Sequence, residues 1–197
     1  MSTSPTPSTE DTILDSAGRC FARYGFKKTS MENVATEARV AKGTVYLYCE
    51  NKQDLFYRSI ERELRSWIDD LSSCIDPNRP ANEILIEMAR RDAAFVEERP
   101  LVADLLSGMV DGDLPSYRER FSGLRNAGRK HVVKVLELGI RQGVFAADLD
   151  VQATARVLQE MQITGALLRH RNELPLAQIR RQQAAAMRLV LRGLEIR

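Results

Sequence analysis

The sequence is poor in the residues that disulfide frameworks and metal sites require. Its 197 residues include three cysteines and two histidines, and Cys20, Cys49 and Cys74 are too far apart for a C-x-x-C pair. We therefore expect reduced thiols, no metal and no cofactor.

Long apolar runs and a leader sequence are also missing. No stretch has the length that a bilayer span needs, and the N-terminal MSTSPTPSTED has neither a basic segment nor an apolar core. Residues 1–8 are therefore predicted to be a disordered tail, and we expect a cytoplasmic protein with no membrane partner.

Catalytic patterns and a strong overall charge are absent as well. We find no nucleophile–base pair, acidic dyad, phosphate loop or metal-ligand spacing, which disfavours an all-helical enzyme. The net charge of +2 is too small to indicate nucleic acid by itself. No two-residue alternation typical of strands is long enough to count, so the apolar spacing predicts an all-α protein.

The stretch from Thr29 to Lys52 carries the clearest local pattern in the chain. Ser30 is a good N-cap for a first short helix, whose periodicity breaks at Arg39. The apolar face of this helix consists of Met31, Val34, Ala35 and Ala38. A second short helix begins near Ala41, with Val45 facing inward. Two helices joined by such a turn indicate a helix-turn-helix, whose second helix enters the DNA major groove.

The outward residues of this stretch suit a phosphate backbone. They are Lys42, Gly43, Thr44, Tyr46, Tyr48 and Lys52. The two lysines supply positive charge, and Gly43 allows a close approach of the DNA backbone. Between Arg19 and Lys52 there are seven basic residues against three acidic ones, a local excess of four. The alternative is a solvated helical hairpin with two surface tyrosines.

The run from Thr12 to Phe56 resembles the N-terminal domain of TetR-family transcriptional regulators. The matching segments are ILDSAGRCFARYGFKKTSMENVATEA and VAKGTVYLYCENKQDLF. The resemblance implies a set of DNA contacts: Ser30 and Met31 at the start of one helix, Lys42, Gly43, Thr44, Tyr46 and Tyr48 on the recognition helix, and Lys52 on a phosphate. Arg39 departs from the glycine that the family often has in the turn, and Cys49 replaces the usual aromatic residue.

The remaining sequence predicts further helices, giving about nine in total. We expect a helix-turn-helix domain over 9–52, a connecting fourth helix and linker over 53–79, and a ligand-binding and dimerisation domain over 80–197. Asn51 is predicted to cap the connecting helix, and Gly25 to end the first helix. Later helices are predicted over 82–98, 101–109, 116–142, 150–170 and 175–194.

The resemblance also implies that the second domain holds a small-molecule pocket and that its last two helices form a homodimer. Candidate pocket residues are Trp67, Met88, Phe95, Met109, Tyr117, Phe121, Met161, Gln162 and Thr164. Each of them also fits an ordinary core position. Small residues that would let the last two helices approach a second copy are Ala153, Ala155, Gly165, Ala166, Ala184, Ala185 and Ala186. Internal packing is the alternative use of these small residues.

The sequence thus predicts a ligand-responsive DNA-binding regulator. We expect a repressor that a small, largely apolar effector releases from a palindromic, double-stranded operator. The alternative is a DNA-binding dimer without a small-molecule switch.

Overall fold

The computed structural model of the protein describes residues 8–99, 102, 117–170 and 174–194, and every regular element in these ranges is an α-helix. The helices are α1 (Thr9–Lys28), α2 (Met31–Ala38), α3 (Lys42–Tyr46), α4 (Lys52–Ser73), α5 (Ala81–Glu98), α6 (Tyr117–Arg141), α7 (Val151–His170) and α8 (Leu176–Leu194). The helix predicted over 101–109 lies outside the described residues. None of the eight described helices is both long enough and apolar enough to cross a membrane.

The chain divides into two compact units, Met1–Arg65 and Ser66–Arg197. Helix α4 begins in the first unit and ends in the second. The DNA-binding domain predicted over 9–52 ends at Lys52, where α4 begins.

Local hydrogen bonds set the helix ends of the first unit. The Ser8 hydroxyl accepts a hydrogen bond from the Asp11 amide at 3.1 Å, and the Asp11 carboxylate accepts one from the Ser8 amide at 3.1 Å, a capping box. Gly25 has φ 76° and interrupts the helical geometry of α1, at the residue predicted to end it. The Thr29 hydroxyl donates to the Gly25 carbonyl at 2.8 Å and fixes the turn into α2.

Aromatic rings fill the centre of the first unit. The Phe56 ring of α4 meets Phe21 edge-on with centroids 5.0 Å apart, and Phe26 with centroids 5.1 Å apart. Outside this core, Arg62 of α4 donates to the Asp15 carboxylate at 2.8 Å and also pairs with Asp11. The first part of α4 is therefore fixed to α1, within the unit that carries α2 and α3.

The second unit is a layer of packed helices with one apolar core. Helix α6 packs on α5 and α7, and α7 packs on α5 and α8. The fully buried Phe145 ring packs directly against Gly139. A Cβ built on Gly139 would lie 2.0 Å from that ring, so this position has no room for a side chain.

Gln142 ties the segment before α5 to the end of α6. Its Oε1 accepts a hydrogen bond from the Ala81 amide at 2.9 Å. Its Nε2 donates to the Arg79 carbonyl at 2.9 Å and to the Pro77 carbonyl at 3.2 Å. This one side chain thus satisfies three backbone groups at the start of α5.

Candidate nucleic-acid interface and ligand cavity

Helices α2 and α3 meet at a turn that Arg39 makes possible. Ser30 and Asn33 form a capping box, with the Ser30 hydroxyl accepting from the Asn33 amide at 3.1 Å. Arg39 then adopts the left-handed conformation, φ 57° and ψ 41°, which glycine usually provides. The Val40 amide donates to the Ala35 carbonyl at 3.0 Å, so the end of α2 is satisfied. Arg39, which stands where the family often has glycine, is therefore a non-glycine residue in a left-handed conformation.

Helix α3 turns one side chain inward and presents the others outward. Val45 is fully buried, whereas Lys42, Gly43 and Tyr46 are exposed. Thr44 and Tyr48 are half-buried. We call the surface formed by Lys42, Gly43, Thr44, Tyr46 and Tyr48 the reading surface.

Leu47 was not among the predicted contacts, yet its side chain is 80% exposed directly after α3. An apolar side chain at this position suits the methyl group of thymine. The sequence signal was its place between Tyr46 and Tyr48, beside the inward-facing Val45.

The side chain of Met31, a predicted DNA contact, lies in the core. That side chain is 7% exposed and belongs to the apolar face of α2, with Val34 and Ala35. A helix of eight residues has few apolar side chains with which to pack on α1, so the Met31 side chain is used in the core. Only the backbone at the start of α2 is left to approach DNA, next to the exposed Ser30.

The two lysines of the predicted interface already have partners within the protein. Lys42 Nζ lies 3.3 Å from the Glu32 carboxylate, and both side chains are exposed. Lys52 Nζ donates to the Lys27 carbonyl at 3.3 Å and lies 4.7 Å from the centre of the Phe26 ring. Lys52 is therefore held in place, whereas Lys42 must leave Glu32 to bind a phosphate.

Gly43 has no structural role within the protein that would require glycine. A Cβ built at this position has no protein atom within 4 Å, and the backbone is not left-handed. A glycine in a five-residue helix weakens that helix relative to alanine by about 0.5–1 kcal/mol. Its use here fits a surface that another molecule approaches closely.

Buried thiols contribute to the apolar cores, with Cys20 and Cys49 in the first unit and Cys74 in the second. The Cys49 Sγ lies 3.3 Å from the Val45 carbonyl, at the position where the family usually has an aromatic residue. Burial raises the pKa values of Cys20, Cys49 and Cys74. These thiols are therefore protonated and unreactive near neutral pH.

The second unit contains a cavity of about 550 Å³ among α5, α7 and α8. Most of its wall is apolar, with side chains that include Ile86, Val96, Met161, Ile179 and Met187. Its charged and polar lining includes Asp92 and Gln162, together with Arg90, Arg180 and Arg188, whose side chains are solvent-exposed. Such a wall, apolar with few polar groups, is typical of small-molecule sites.

Two of the predicted pocket residues, Met161 and Gln162, line this cavity. Thr164 lines a second space of about 180 Å³ beside it, together with Met161.

Four other predicted pocket residues, Trp67, Met88, Phe95 and Phe121, are not in the walls of these two cavities. Met88, Phe95 and Phe121 are buried and Trp67 packs on the core of the second unit, so their place in a pocket stays a prediction. Met109 lies outside the described residues, and only the backbone of Tyr117 is described.

Asp92 is the most unusual side chain of the cavity, and the sequence prediction missed it. The residue is 3% exposed, and its carboxyl accepts hydrogen bonds from Trp67 Nε1 at 2.7 Å and from Gln162 Nε2. Burial raises the pKa of Asp92 to about 7. A signal was present, because Asp92 falls on the apolar stripe of α5 between Met88 and Phe95.

Comparison with known proteins agrees with this arrangement. Residues 13–58 match the family model described as bacterial regulatory proteins, tetR family. This range holds α2, α3 and the first part of α4.

Relatives extend the similarity beyond the first unit. The fatty acid metabolism regulator protein of Bacillus subtilis is 30% identical over 146 residues, covering 74% of this chain and 75% of that protein. The HTH-type transcriptional repressor KstR2 of Rhodococcus jostii is 24% identical over 156 residues, covering 75% and 73%. The crystal structure of FadR from Bacillus subtilis in complex with stearoyl-CoA shares the fold, with a TM-score of 0.75, 18% identity and coverage of 93% and 98%. The chain therefore belongs to the TetR family of bacterial regulatory proteins.

Proposed function

We propose that the protein is a repressor that binds a palindromic operator through its reading surface and leaves it when a small, largely apolar effector binds. The strongest support is Gly43, a glycine that the fold does not require on the outward face of the second helix of a helix-turn-helix. Open space at its missing Cβ is what close contact with a phosphate backbone needs. The protein would act in the cytoplasm, where it meets the chromosome.

Each side chain of the interface then has a distinct task. Lys42 and Lys52 neutralise phosphates, Ser30 contacts the DNA backbone from the start of α2, and the hydroxyls of Thr44, Tyr46 and Tyr48 reach phosphates or base edges. Phosphate contacts fix the position of the protein on the duplex, and base contacts select the sequence.

A homodimer through α7 and α8 would present two copies of this surface. One recognition helix makes few base contacts, and two copies related by a two-fold axis would read half-sites one helical turn, about 34 Å, apart. Two large apolar side chains on these helices are exposed, Val157 at 54% and Leu189 at 72%. Small residues on the same faces, Ala153 and Ala185, allow close approach of a second backbone.

The cavity among α5, α7 and α8 is the proposed effector site. Its apolar wall suits a hydrocarbon body, and the exposed Arg90, Arg180 and Arg188 suit an anionic group outside it. The names of two relatives point to fatty acid metabolism and to stearoyl-CoA. Acyl thioesters are therefore the first compounds to test, and a DNA-binding dimer without a switch is the alternative.

A mobility-shift titration with the DNA flanking the gene of this protein tests the proposal. We expect a discrete complex that random DNA competes away only weakly, and its release by an acyl-CoA. A protein that fails to select its flanking DNA over random DNA would refute the regulator. DNA binding that no acyl thioester or free fatty acid changes would support the dimer without a switch.

A further inference from the structure

The carboxyl group of Asp92 lies in the cavity wall without a cation beside it. In the described part of the chain no lysine, arginine or histidine forms an ion pair with it. Arg90 pairs with Glu87 at 2.8 Å, and Arg180 pairs with Glu97. A carboxyl group that is buried without a counter-charge is costly to ionise.

When Asp92 is ionised, its carboxylate and the groups around it leave hydrogen-bond acceptors, rather than donors, facing the cavity. Trp67 has one N–H group, and it is used on Asp92 at 2.7 Å. The Gln162 amide directs its Nε2 at the other carboxyl oxygen. The Gln162 Oε1 is the other end of that amide, and the hydrogen bond to Asp92 is the one that Gln162 makes among the described residues.

The resulting polar subsite therefore consists of a carboxyl group and an amide oxygen in an apolar wall. A pure hydrocarbon that fills the cavity offers no hydrogen bond to the amide oxygen or to the remaining lone pairs of the carboxyl oxygens. A ligand with a donor at this place would satisfy them. For the same reason, a binding site built for a hydroxyl rejects analogues that lack it, because the polar groups of the site are then left without a hydrogen-bond partner.

We propose that Asp92 and Gln162 form a subsite for a hydrogen-bond donor, a hydroxyl or a protonated amine, carried on the apolar body of the effector. This subsite deepens the proposed function and rests on it, since it assigns the chemistry of the same effector cavity. It adds to the exposed arginines, which would hold an anionic group outside the apolar part of the site.

A purely structural role for Asp92 makes a different prediction. Its hydrogen bonds join α4, α5 and α7, so a structural residue would affect every ligand equally when it is replaced. A donor subsite changes the ratio between two ligands that differ only in the donor. The experiment therefore measures this ratio rather than a single affinity.

The probes are 1-decanol, 1-methoxydecane and decylamine, titrated against the full chain without DNA. Trp67 is the single tryptophan of the sequence and donates to Asp92, so its fluorescence reports on the site. We expect at least one donor probe to bind about tenfold tighter than the ether. In Asp92→Asn, which keeps the shape and an acceptor for Trp67, that preference should fall below about threefold while the ether still binds.

Two further variants make the result decisive. Glu97→Gln changes another carboxylate of the cavity lining, one that pairs with Arg180, and should leave the ratio as in the wild type. Gln162→Met removes the amide and keeps Asp92, so it should reduce the preference even where Asp92→Asn does not fold.

The two donor classes separate by pH. Binding of the amine should tighten from pH 6 to pH 8 as Asp92 ionises, whereas binding of the alcohol should change little. Equal affinities for both donor probes and the ether, binding of none of the three, or a preference that persists in both Asp92→Asn and Gln162→Met would overturn the subsite. Because no DNA is present, such a failure is distinct from a failure to bind or release the operator.

Discussion

The reading surface and the cavity differ in where their polar groups lie. On α3 the polar side chains point to solvent, and the core below them is apolar and aromatic, with Phe21 and Phe56 in contact. In the second unit the key polar groups, Asp92 and Gln162, also join helices to one another. A change on the reading surface should therefore alter function and leave stability intact, whereas a change at Asp92 should alter both.

The largest effect is expected at Gly43. Gly43→Leu should raise the free energy of unfolding by about 0.5–1 kcal/mol, because leucine is a better helix former and meets open space. Operator binding should weaken about hundredfold, since the new side chain would displace two or more phosphate contacts. Fluorescence anisotropy and thermal melting measure the two quantities. A variant that binds the operator as well as the wild type would show that DNA does not approach Gly43.

The pH dependence of stability tests the contrasting behaviour of Asp92. The folded-state pKa of Asp92, about 7, lies above the ordinary value of 3.8. The carboxyl group therefore makes its full contribution to folding stability below pH 4, and this contribution is lost as the pH rises through 7. The difference in unfolding free energy between Asp92→Asn and wild type should therefore shift in favour of the variant by about 2–3 kcal/mol from pH 5 to pH 8.

Urea titrations at the two pH values measure this shift, and Glu97→Gln is a suitable control because Glu97 pairs with Arg180. If the unfolding free energies of wild type and Asp92→Asn changed in parallel with pH, the Asp92 carboxyl would ionise in the folded protein at no cost in stability.

Lys42→Ala should have a moderate effect, confined to DNA binding. The loss of one phosphate contact in each protomer should weaken operator and random DNA similarly, by about tenfold, and reduce the slope of log K against log salt by about two per dimer. Stability should hardly change, because the exposed pair with Glu32 contributes little. The role is contradicted if sequence preference changes while the salt slope stays constant.

The smallest effect is expected at Arg39, where the backbone is left-handed with φ 57°. Arg39→Gly should raise the free energy of unfolding by about 1 kcal/mol, because glycine adopts this conformation without strain. Melting should be measured together with DNA binding, since the loss of a positive charge near the turn can weaken the complex. A lower Tm for the variant would show that the arginine side chain stabilises the turn more than its backbone strains it.

The first unit could be predicted well because its decisive interactions are local. Ser30 bonds to Asn33 three residues away, and the turn at Arg39 closes on Ala35 and Thr36. Such bonds leave a readable pattern in consecutive residues. At Met31 the apolar spacing correctly indicated a core side chain, and the DNA contact that the resemblance implies there stays a prediction.

The cavity could not be predicted because its interactions are distant in sequence. Asp92 bonds to residues 25 and 70 positions away, Trp67 and Gln162. Bulky side chains such as Met88 and Phe95 were natural candidates, but helix periodicity cannot say whether an inward face meets another helix or an open space. Only the packing of α5 against α7 and α8 decides this.

The three hydrogen bonds of Gln142 have a consequence for the order of folding during synthesis. The bond to the Ala81 amide closes a loop between residues 61 positions apart, so it cannot form until the end of α6 has been made. We therefore expect the segment from Pro77 to Arg79 to be more open to proteases on a nascent chain that ends before Gln142 than on one that includes it.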